Sequence, residues 1–229
     1  TAFAVTEVLG HPFFQLWYTG VPDEDTFGDY GIGYAVSGSG TTWAPHPSNP
    51  LLTEPDQRSE WDSDNMDAMQ IVWDPRSESY VMLYQGYNIA RGDWGLGVAE
   101  SPDGLAWQRS AANPVLDLTA GGGDVRNWCW PLGLTLGPIL GYEGYIAGNT
   151  VNGQATHCEV FRLEADDSTT WSGTSEKVLQ VGEAGRWDDE GFLSLAIAEL
   201  GGTYFMFYVG FGDWVEGDGY ISSQHQYLG

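Results

Sequence analysis

Short apolar stretches alternate with polar or glycine-rich stretches along the whole chain. Four stretches rich in aromatic residues recur at residues 13–20, 79–86, 142–148 and 203–210. Another apolar stretch precedes each of them, at residues 3–8, 68–73, 130–136 and 192–198. These stretches are too short for helices and rich in β-branched and aromatic residues, which favours β-strands. The pattern therefore predicts an all-β protein built from repeated pairs of strands.

The strand pairs belong to a longer internal repeat. Residues 28–37 (GDYGIGYAVS) align without a gap with residues 92–101 (GDWGLGVAES), 64 positions later. Trp43, Trp107 and Trp171 follow one another at the same spacing of 64 residues, which predicts a shared packing role. Each unit contains four short strands, the organisation of a β-propeller blade. A β-sandwich, the main alternative, does not explain a sequence period.

The repeat predicts a single propeller domain of four blades, at about residues 1–57, 58–120, 121–183 and 184–229. The last blade is the shortest. Residues 219–223 align with residues 33–37, so the position of the outer tryptophan falls on Gly229. We therefore expect this blade to lack its outer strand and to expose an open edge at residues 220–227. An edge of this kind can pair with a second copy of the chain, which makes a dimer an alternative to an open ring.

The charge of the chain narrows the classes of partner. The sequence has 8 Lys and Arg against 32 Asp and Glu, a formal net charge of −24. Nucleic acids and anionic membrane surfaces are bound through Lys and Arg, so we expect neither as a partner. So acidic a surface is typical of proteins that work in high salt, where screening relieves self-repulsion. An ordinary acidic protein, secreted after removal of a signal peptide, is the alternative.

Two cysteines, Cys129 and Cys158, are too few for a disulfide framework. The repeat separates them by one strand of the third blade, which puts their Cα atoms about 10 Å apart. A disulfide needs Cα atoms within about 7 Å, so we expect two free thiols.

The second blade carries a succession of motifs that resembles a known enzyme group. Trp61-Asp62 is followed by residues 80–86 (YVMLYQG), residues 95–107 (GLGVAESPDGLAW) and residues 113–116 (NPVL). This succession resembles the five-bladed propeller glycoside hydrolases of families 43 and 32, such as arabinanases, β-xylosidases and invertase-like fructosidases. The resemblance implies hydrolysis by three carboxylates from the inner strands of successive blades. One of them, an aspartate ahead of the first inner strand, has no counterpart ahead of Phe3, so we expect it to be absent.

Acidic residues gather ahead of the predicted inner strands of blades two, three and four. They are Asp62 and Asp64, then Asp124, then Asp188 and Glu190. The repeat aligns Asp62 with Asp188. It also aligns Asp64 with Glu190. Because inner strands surround a propeller axis, these carboxylates are expected to face one pocket, where like charges raise the pKa of one member.

These residues supply the predicted site. We predict Glu190 as the general acid, with Asp188 beside it, Asp62 as base or nucleophile, and Asp124 as a tuning or substrate-binding carboxylate. Substrate binding is assigned to Asp64 and to three residues near Asp124, namely Arg126, Trp128 and Trp130. Tryptophan rings stack on the C–H faces of sugars.

Two other interpretations of the acids stay open. Each acid can instead cap a turn through backbone N–H groups. The cluster can also hold a structural cation on the axis, although no EF-hand spacing is present. None of the four histidines has partners at metal-ligand spacing, so we predict no metal site and no cofactor.

Two functions follow. The first is a glycoside hydrolase-like propeller that acts on a plant- or algal-type oligosaccharide through its acidic axial pocket. The second is a propeller that binds carbohydrate or another partner without catalysis, because fold alone does not deliver function. Hydrolysis of chromogenic glycosides separates the two.

Overall fold

The computed structural model describes residues 2–8, 10–21, 30–55, 60–90, 92–117, 131–137, 141–149, 158–200, 203–212 and 225–228. Within these ranges the chain forms β-strands joined by turns and contains no helix. Accordingly, no helix in this part of the chain is long and apolar enough to cross a membrane. The strands form the four antiparallel blades of a β-propeller, of which the third and fourth belong to one seven-stranded sheet, and this confirms the predicted fold class.

The strands of each blade follow the chain in order. The first blade contains β1 (Ala2–Val8), β2 (His11–Gly20), β3 (Gly31–Ser37), β4 (Ala44–Pro45) and β5 (Leu52–Thr53), and the second contains β6 (Asn65–Asp74), β7 (Ser79–Asn88), β8 (Asp93–Ser101), β9 (Gln108–Arg109) and β10 (Leu116–Asp117). The third blade contains β11 (Pro131–Leu136), β12 (Tyr142–Asn149), β13 (Cys158–Ala165) and β14 (Trp171–Leu179). The fourth blade contains β15 (Gly191–Leu200), β16 (Thr203–Gly212) and β17 (His225–Leu228).

The outer strand of the first two blades is divided into two short segments. In blade one, β4 and β5 both pair with β3, and the stretch between them contains Asn49 and Pro50. Proline has no N–H to donate to a ladder. The Asn49 side chain takes over this role, since its Oδ1 accepts from Tyr34 N at 2.9 Å and its Nδ2 donates to Tyr34 O at 3.0 Å. Asn113 bonds Val98 in the same way in blade two, which explains why Asn-Pro recurs at the period of the repeat.

Apolar side chains fill the space between neighbouring blades. Trp17, Met66 and Tyr84 are fully buried between blades one and two. Leu83 and Phe161 are fully buried between blades two and three. Trp171 also belongs to that second cluster, as its position in the repeat predicts. Each blade thus buries one face against the next, which fixes the order of the inner strands around the axis.

The last blade has three strands within the described residues, which agrees with a blade that lacks its outer strand. Its third strand, β17, pairs with β16 through Gly210↔Tyr227 and Phe211↔Gln226. Residues 219–223, for which the sequence predicts the third strand, lie outside the described residues. Blades three and four are joined by one parallel pair, Cys158↔Gly191.

Candidate active site

The same tryptophan–aspartate corner stands ahead of the inner strands of blades two and four. Trp61 lies over Gly97, where an added Cβ would come within 2.6 Å of the indole ring. Trp61 also lies over Gly86 of the second strand, and Trp187 lies over the equivalent Gly210 of blade four, where an added Cβ would come within 2.6 Å of its ring. Each indole packs on a tyrosine of the second strand: Trp61 lies 5.6 Å from Tyr84 with the rings tilted by 36°, and Trp187 stacks on Tyr208 at 5.5 Å and 12°. The glycines are therefore required where an indole lies flat on the sheet.

Asp62, the predicted base or nucleophile, is enclosed in this corner. Its side chain is only 2% exposed. The Tyr84 hydroxyl donates to its Oδ2 at 2.9 Å, and Arg109 Nε donates to the same oxygen at 3.0 Å. Burial, followed by the negative charge of Asp62, raises the pKa of Tyr84 well above its usual range, so the hydroxyl keeps its proton and remains a donor.

Asp188 occupies the equivalent position in blade four with looser contacts. The Tyr208 hydroxyl lies 3.5 Å from its Oδ2, and the side chain is half-buried. Burial, and secondarily Asp188, raises the pKa of Tyr208. The backbone oxygen of Asp188 accepts from Gly182 N at 3.0 Å. Asp188 is thus more accessible than Asp62 although both follow a tryptophan.

Asp64 and Glu190 are also structurally equivalent, as the repeat predicts. The backbone N–H of Asp64 donates to Tyr87 O at 3.0 Å, and that of Glu190 donates to Phe211 O at 3.0 Å. Both side chains are half-buried. Oδ2 of Asp64 accepts from the Ile89 N–H at 3.0 Å, which ties this carboxylate to the end of β7.

A further acid, Asp67, lies inside the inner strand of blade two. Strand β6 begins at Asn65, three residues earlier than the apolar run in the sequence indicates. Its pairing with β7 is irregular between Asp67 and Gln70, and Ala68 within this irregular stretch has φ = 47°. Left-handed backbone costs a residue with a Cβ roughly 1–2 kcal/mol and often marks functional sites. The irregularity sets the direction of the strand where it reaches the axis.

The environment of Asp67 changes its acidity. Burial raises the pKa of this carboxyl, while a hydrogen bond with Asn65 opposes the rise. Oδ1 is buried and has no hydrogen-bond partner among the described residues. Its neighbour across the ladder, Gln85, is itself buried. A carboxyl in this state can hold a proton and donate it to a ligand oxygen, or tune another acid nearby.

Sequence reasoning did not include Asp67 among the catalytic residues. It stands at the end of an acidic run that starts at Asp62, and so resembles one more loop acid. The available signal was a lone carboxylate directly before apolar strand residues such as Ala68 and Met69.

Four predicted site residues lie outside the described residues: Asp124, Arg126, Trp128 and Trp130. They stand between β10 and β11 in the chain. Strand β11 lies beside β6, where Gln70 Nε2 donates to Pro131 O at 3.4 Å. Within the described ranges, no group of three or more His, Cys, Asp or Glu side chains could hold a metal ion.

A cavity of about 440 Å³ lies away from these acids, at the outer part of blade two. It is lined by the hairpin turn at residues 77–79 and by residues 108–111. It includes Arg109 but none of the predicted carboxylates.

The sequence matches no protein-family model and no curated protein. Solved structures do match. A protein described as a glycoside hydrolase aligns with a TM-score of 0.68 and 17% identity, over 91% of this chain and 61% of its own. The GH32 β-fructofuranosidase of Bombyx mori aligns with a TM-score of 0.61 and 19% identity, over 94% of this chain and 42% of its own. The fold is that of the glycoside hydrolase propellers.

An enzyme of another class shares this glycoside hydrolase-type fold. An N-acetylgalactosamine deacetylase from F. plautii, in complex with blood group B trisaccharide, aligns with a TM-score of 0.62 and 12% identity, over 92% of this chain and 63% of its own. At identities this low the likeness concerns the fold alone. The chain spans less than two thirds of each of these three structures.

Proposed function

We propose that this propeller binds an oligosaccharide at the acidic end of its axis and hydrolyses a glycosidic bond there. The observation that carries the proposal is Asp67, a carboxyl whose pKa is raised by burial and whose Oδ1 has no partner among the described residues. The glycoside hydrolase-type fold supports it. So does the equivalence of Asp64 and Glu190 at the entry to two inner strands.

In this proposal Glu190 is the general acid, with Asp188 beside it. Glu190 donates its proton to the glycosidic oxygen as the bond from that oxygen to the anomeric carbon breaks. A second carboxylate, for which we propose Asp124, takes a proton from the water whose oxygen bonds to the same carbon. Asp67 tunes the pair or donates a hydrogen bond to the sugar.

The other predicted residues bind and position. Asp62, enclosed by Tyr84 and Arg109, is proposed as a positioning residue that holds both side chains at the corner. Sugar binding is assigned to the residues predicted for it: Asp64, Arg126, Trp128 and Trp130.

A panel of chromogenic furanosides and pyranosides, assayed in low and high salt, tests the proposal. Glu190→Gln should lower turnover by at least about 10²-fold, the usual scale for acid–base groups. Asp67→Asn should lower turnover by a smaller factor, because Asp67 is proposed to tune the acid or bind the sugar and not to transfer the proton. Asp166→Asn is the matched control, because Asp166 is an exposed acid on the turn between β13 and β14, and it should leave turnover unchanged. Full activity in either site variant removes that residue from the mechanism.

A carbohydrate-binding propeller without catalysis is the second candidate. It is favoured by the engagement of Asp62 and Asp188 with the tyrosines of their corners, which assigns both acids to packing. Saturable binding of an oligosaccharide by the unmodified protein, with no hydrolysis across the panel, would establish it. The absence of both binding and hydrolysis would contradict both candidates.

A further inference from the structure

A cavity of about 380 Å³ opens on blade one. It is lined by side chains and backbone from the second and third strands and the Asn-Pro segment, among them Tyr18, Gly20, Gly31, Gly33, Asn49 and Pro50. Three of these residues are glycines, Tyr18 has an aromatic ring and Pro50 has a saturated ring. The cavity therefore offers a slot bordered by bare backbone rather than by a cluster of polar groups.

Every one of these lining residues has a counterpart in blade two. Tyr18 pairs with Gly33 across the ladder, as Tyr84 pairs with Gly97. In the order of blade one and blade two, the other matched residues are Gly20 and Gly86, Gly31 and Gly95, Asn49 and Asn113, and Pro50 and Pro114.

In blade two, the matching space is filled by Trp61 and Asp62. An added Cβ at Gly97 would lie 2.6 Å from the Trp61 ring, and one at Gly86 would lie 2.6 Å from Asp62 Cβ. Trp187 and Asp188 fill the same space over Gly210 in blade four.

In blade one, no tryptophan or aspartate among the described residues fills this space, and only the Tyr18 ring lies over Gly33. An added Cβ at Gly20 would meet only the backbone oxygen of Gly31, at 3.9 Å. The Tyr18 hydroxyl accepts from Asn49 Nδ2 at 3.1 Å, as the Tyr84 hydroxyl accepts from Asn113 Nδ2 at 3.1 Å. The Tyr84 hydroxyl also donates to Asp62, whereas the Tyr18 hydroxyl has no acceptor among the described residues.

Blade three shows that the glycines are not a general requirement of a blade. The residue that corresponds to Gly97 there is Phe161, 64 positions later, which pairs with Ile146. Phe161 is fully buried and fills its blade with its own ring. In blades one and two the glycine lies under the ring of its cross-strand tyrosine, Tyr18 over Gly33 and Tyr84 over Gly97, and in blade two the Trp61 ring lies over it as well.

We propose that the blade-one cavity, formed by Tyr18, the glycines of β2 and β3 and the Asn-Pro segment, is a binding site for a peptide segment that presents a tryptophan followed by an aspartate. The indole lies over Gly20, beside the Tyr18 ring that covers Gly33, and packs against Pro50. The aspartate accepts a hydrogen bond from the Tyr18 hydroxyl. The occupant is a peptide because the same slot holds this dipeptide in two other blades of the chain.

The chain spacing defines a covalent test. Trp61 stands nine residues ahead of Gln70, which pairs with Leu83, and Trp187 stands nine residues ahead of Ala196, which pairs with Phe207. Ala2 has the equivalent place in blade one, where it pairs with Trp17. Fusing the eight residues of 61–68 (WDSDNMDA) ahead of Thr1 therefore puts an indole nine residues ahead of Ala2.

The fused chain should melt about 5 °C higher than the unextended protein, because burying one indole adds apolar contact to the fold. Its added tryptophan should be protected from acrylamide quenching. The matched control is the same extension with its tryptophan changed to alanine, which should show no gain. A second control carries the extension together with Gly20→Val, whose Cβ has ordinary van der Waals contact with Gly31 O at 3.9 Å and whose methyl groups add bulk in the slot.

Binding from solution is the second arm. A peptide with the sequence of residues 60–65 (EWDSDN) is titrated to about 10 mM, a range that covers the Kd near 1 mM typical of a small apolar contact, and followed by NMR. Saturable shifts confined to blade one, and lost with an alanine-for-tryptophan peptide or with Gly20→Val, support the proposal. A gain in either arm that the controls abolish supports it; the failure of both arms overturns it.

Discussion

Blades one and two share their strands, their Asn-Pro segment and their glycines, yet differ at one corner. In blade two an indole and a carboxylate close the space over Gly86 and Gly97, and Tyr84 is fully buried. In blade one the same space is a cavity, and Tyr18 is only half-buried. Among the described residues, an indole from a preceding segment lies over these glycines in blade two and none does so in blade one. The repeated glycines and Asn-Pro segment thus form the same slot in both blades, whether or not a tryptophan lies in it.

Removing the Trp61 side chain, which fills the slot of blade two, is expected to have the largest effect. Trp61→Ala should lower the free energy of unfolding by about 3–5 kcal/mol, because it leaves a cavity where a buried ring had packed. Val21→Ala, at the exposed edge of the blade-one cavity, should change it by less than about 0.5 kcal/mol. Urea unfolding followed by far-UV circular dichroism measures both. A loss below about 1 kcal/mol for Trp61→Ala would mean that the corner of blade two is as open as that of blade one.

Matched glycine substitutions test the slot itself. Gly86→Ala should destabilise by about 2–3 kcal/mol, since its Cβ overlaps the Trp61 ring and Asp62. Gly20→Ala should be neutral or stabilise by up to about 1 kcal/mol, because its Cβ enters open space and alanine restricts the unfolded chain. The same unfolding curves measure both changes in the free energy of unfolding. Equal changes at the two positions would contradict the proposed difference between the blades.

The tyrosines give a smaller contrast. Tyr84→Phe leaves the buried Asp62 carboxylate with one donor fewer and should cost about 2 kcal/mol. Tyr18→Phe removes only an acceptor for Asn49 and should cost less than about 1 kcal/mol. Thermal and urea unfolding of the two variants gives the comparison, and a larger loss for Tyr18→Phe would reverse it.

The smallest effect concerns pH and the inner strand of blade two. Burial raises the pKa of Asp67 in the folded protein, so folding favours the protonated carboxyl. This contribution is fully present below the unfolded pKa and is lost as pH rises through the folded pKa. Asp67→Asn should therefore stabilise the protein at neutral pH, by less than about 1 kcal/mol, and not at acidic pH. Unfolding curves at several pH values check this; a destabilised variant at neutral pH would show that Asp67 is held as a charged group.

The internal repeat allowed the fold to be predicted from the sequence. Trp43, Trp107 and Trp171 recur at 64 residues, and apolar strands alternate with glycine turns at the same period. Both patterns can be recognised in the sequence alone, because they do not depend on which residues are in contact between blades. The structure confirms the propeller and the equivalence of Asp64 with Glu190.

Less of the candidate site could be predicted from the sequence. Asp62 and Asp188 occupy matching positions in sequence, but the first is enclosed by Tyr84 and Arg109 while the second meets its tyrosine at 3.5 Å. Arg109 comes from the outer part of the blade, 47 residues from Asp62 in the chain. A long-range contact of this kind produces no repeated pattern in the sequence. The sequence spacing therefore could not distinguish the roles of the two acids.

The amino-acid sequence by itself determined the number of recognisable blades, the alternation of their strands and the positions at which glycine, proline and tryptophan recur. These properties depend on residue type and period, which act over a few neighbouring residues. Only the tertiary structure decided that Oδ1 of Asp67 is buried, that Asp62 is enclosed and that, among the described residues, the blade-one cavity holds no indole. Burial and occupancy depend on which segments meet across strands and blades, because desolvation and packing act between groups that are distant in the chain.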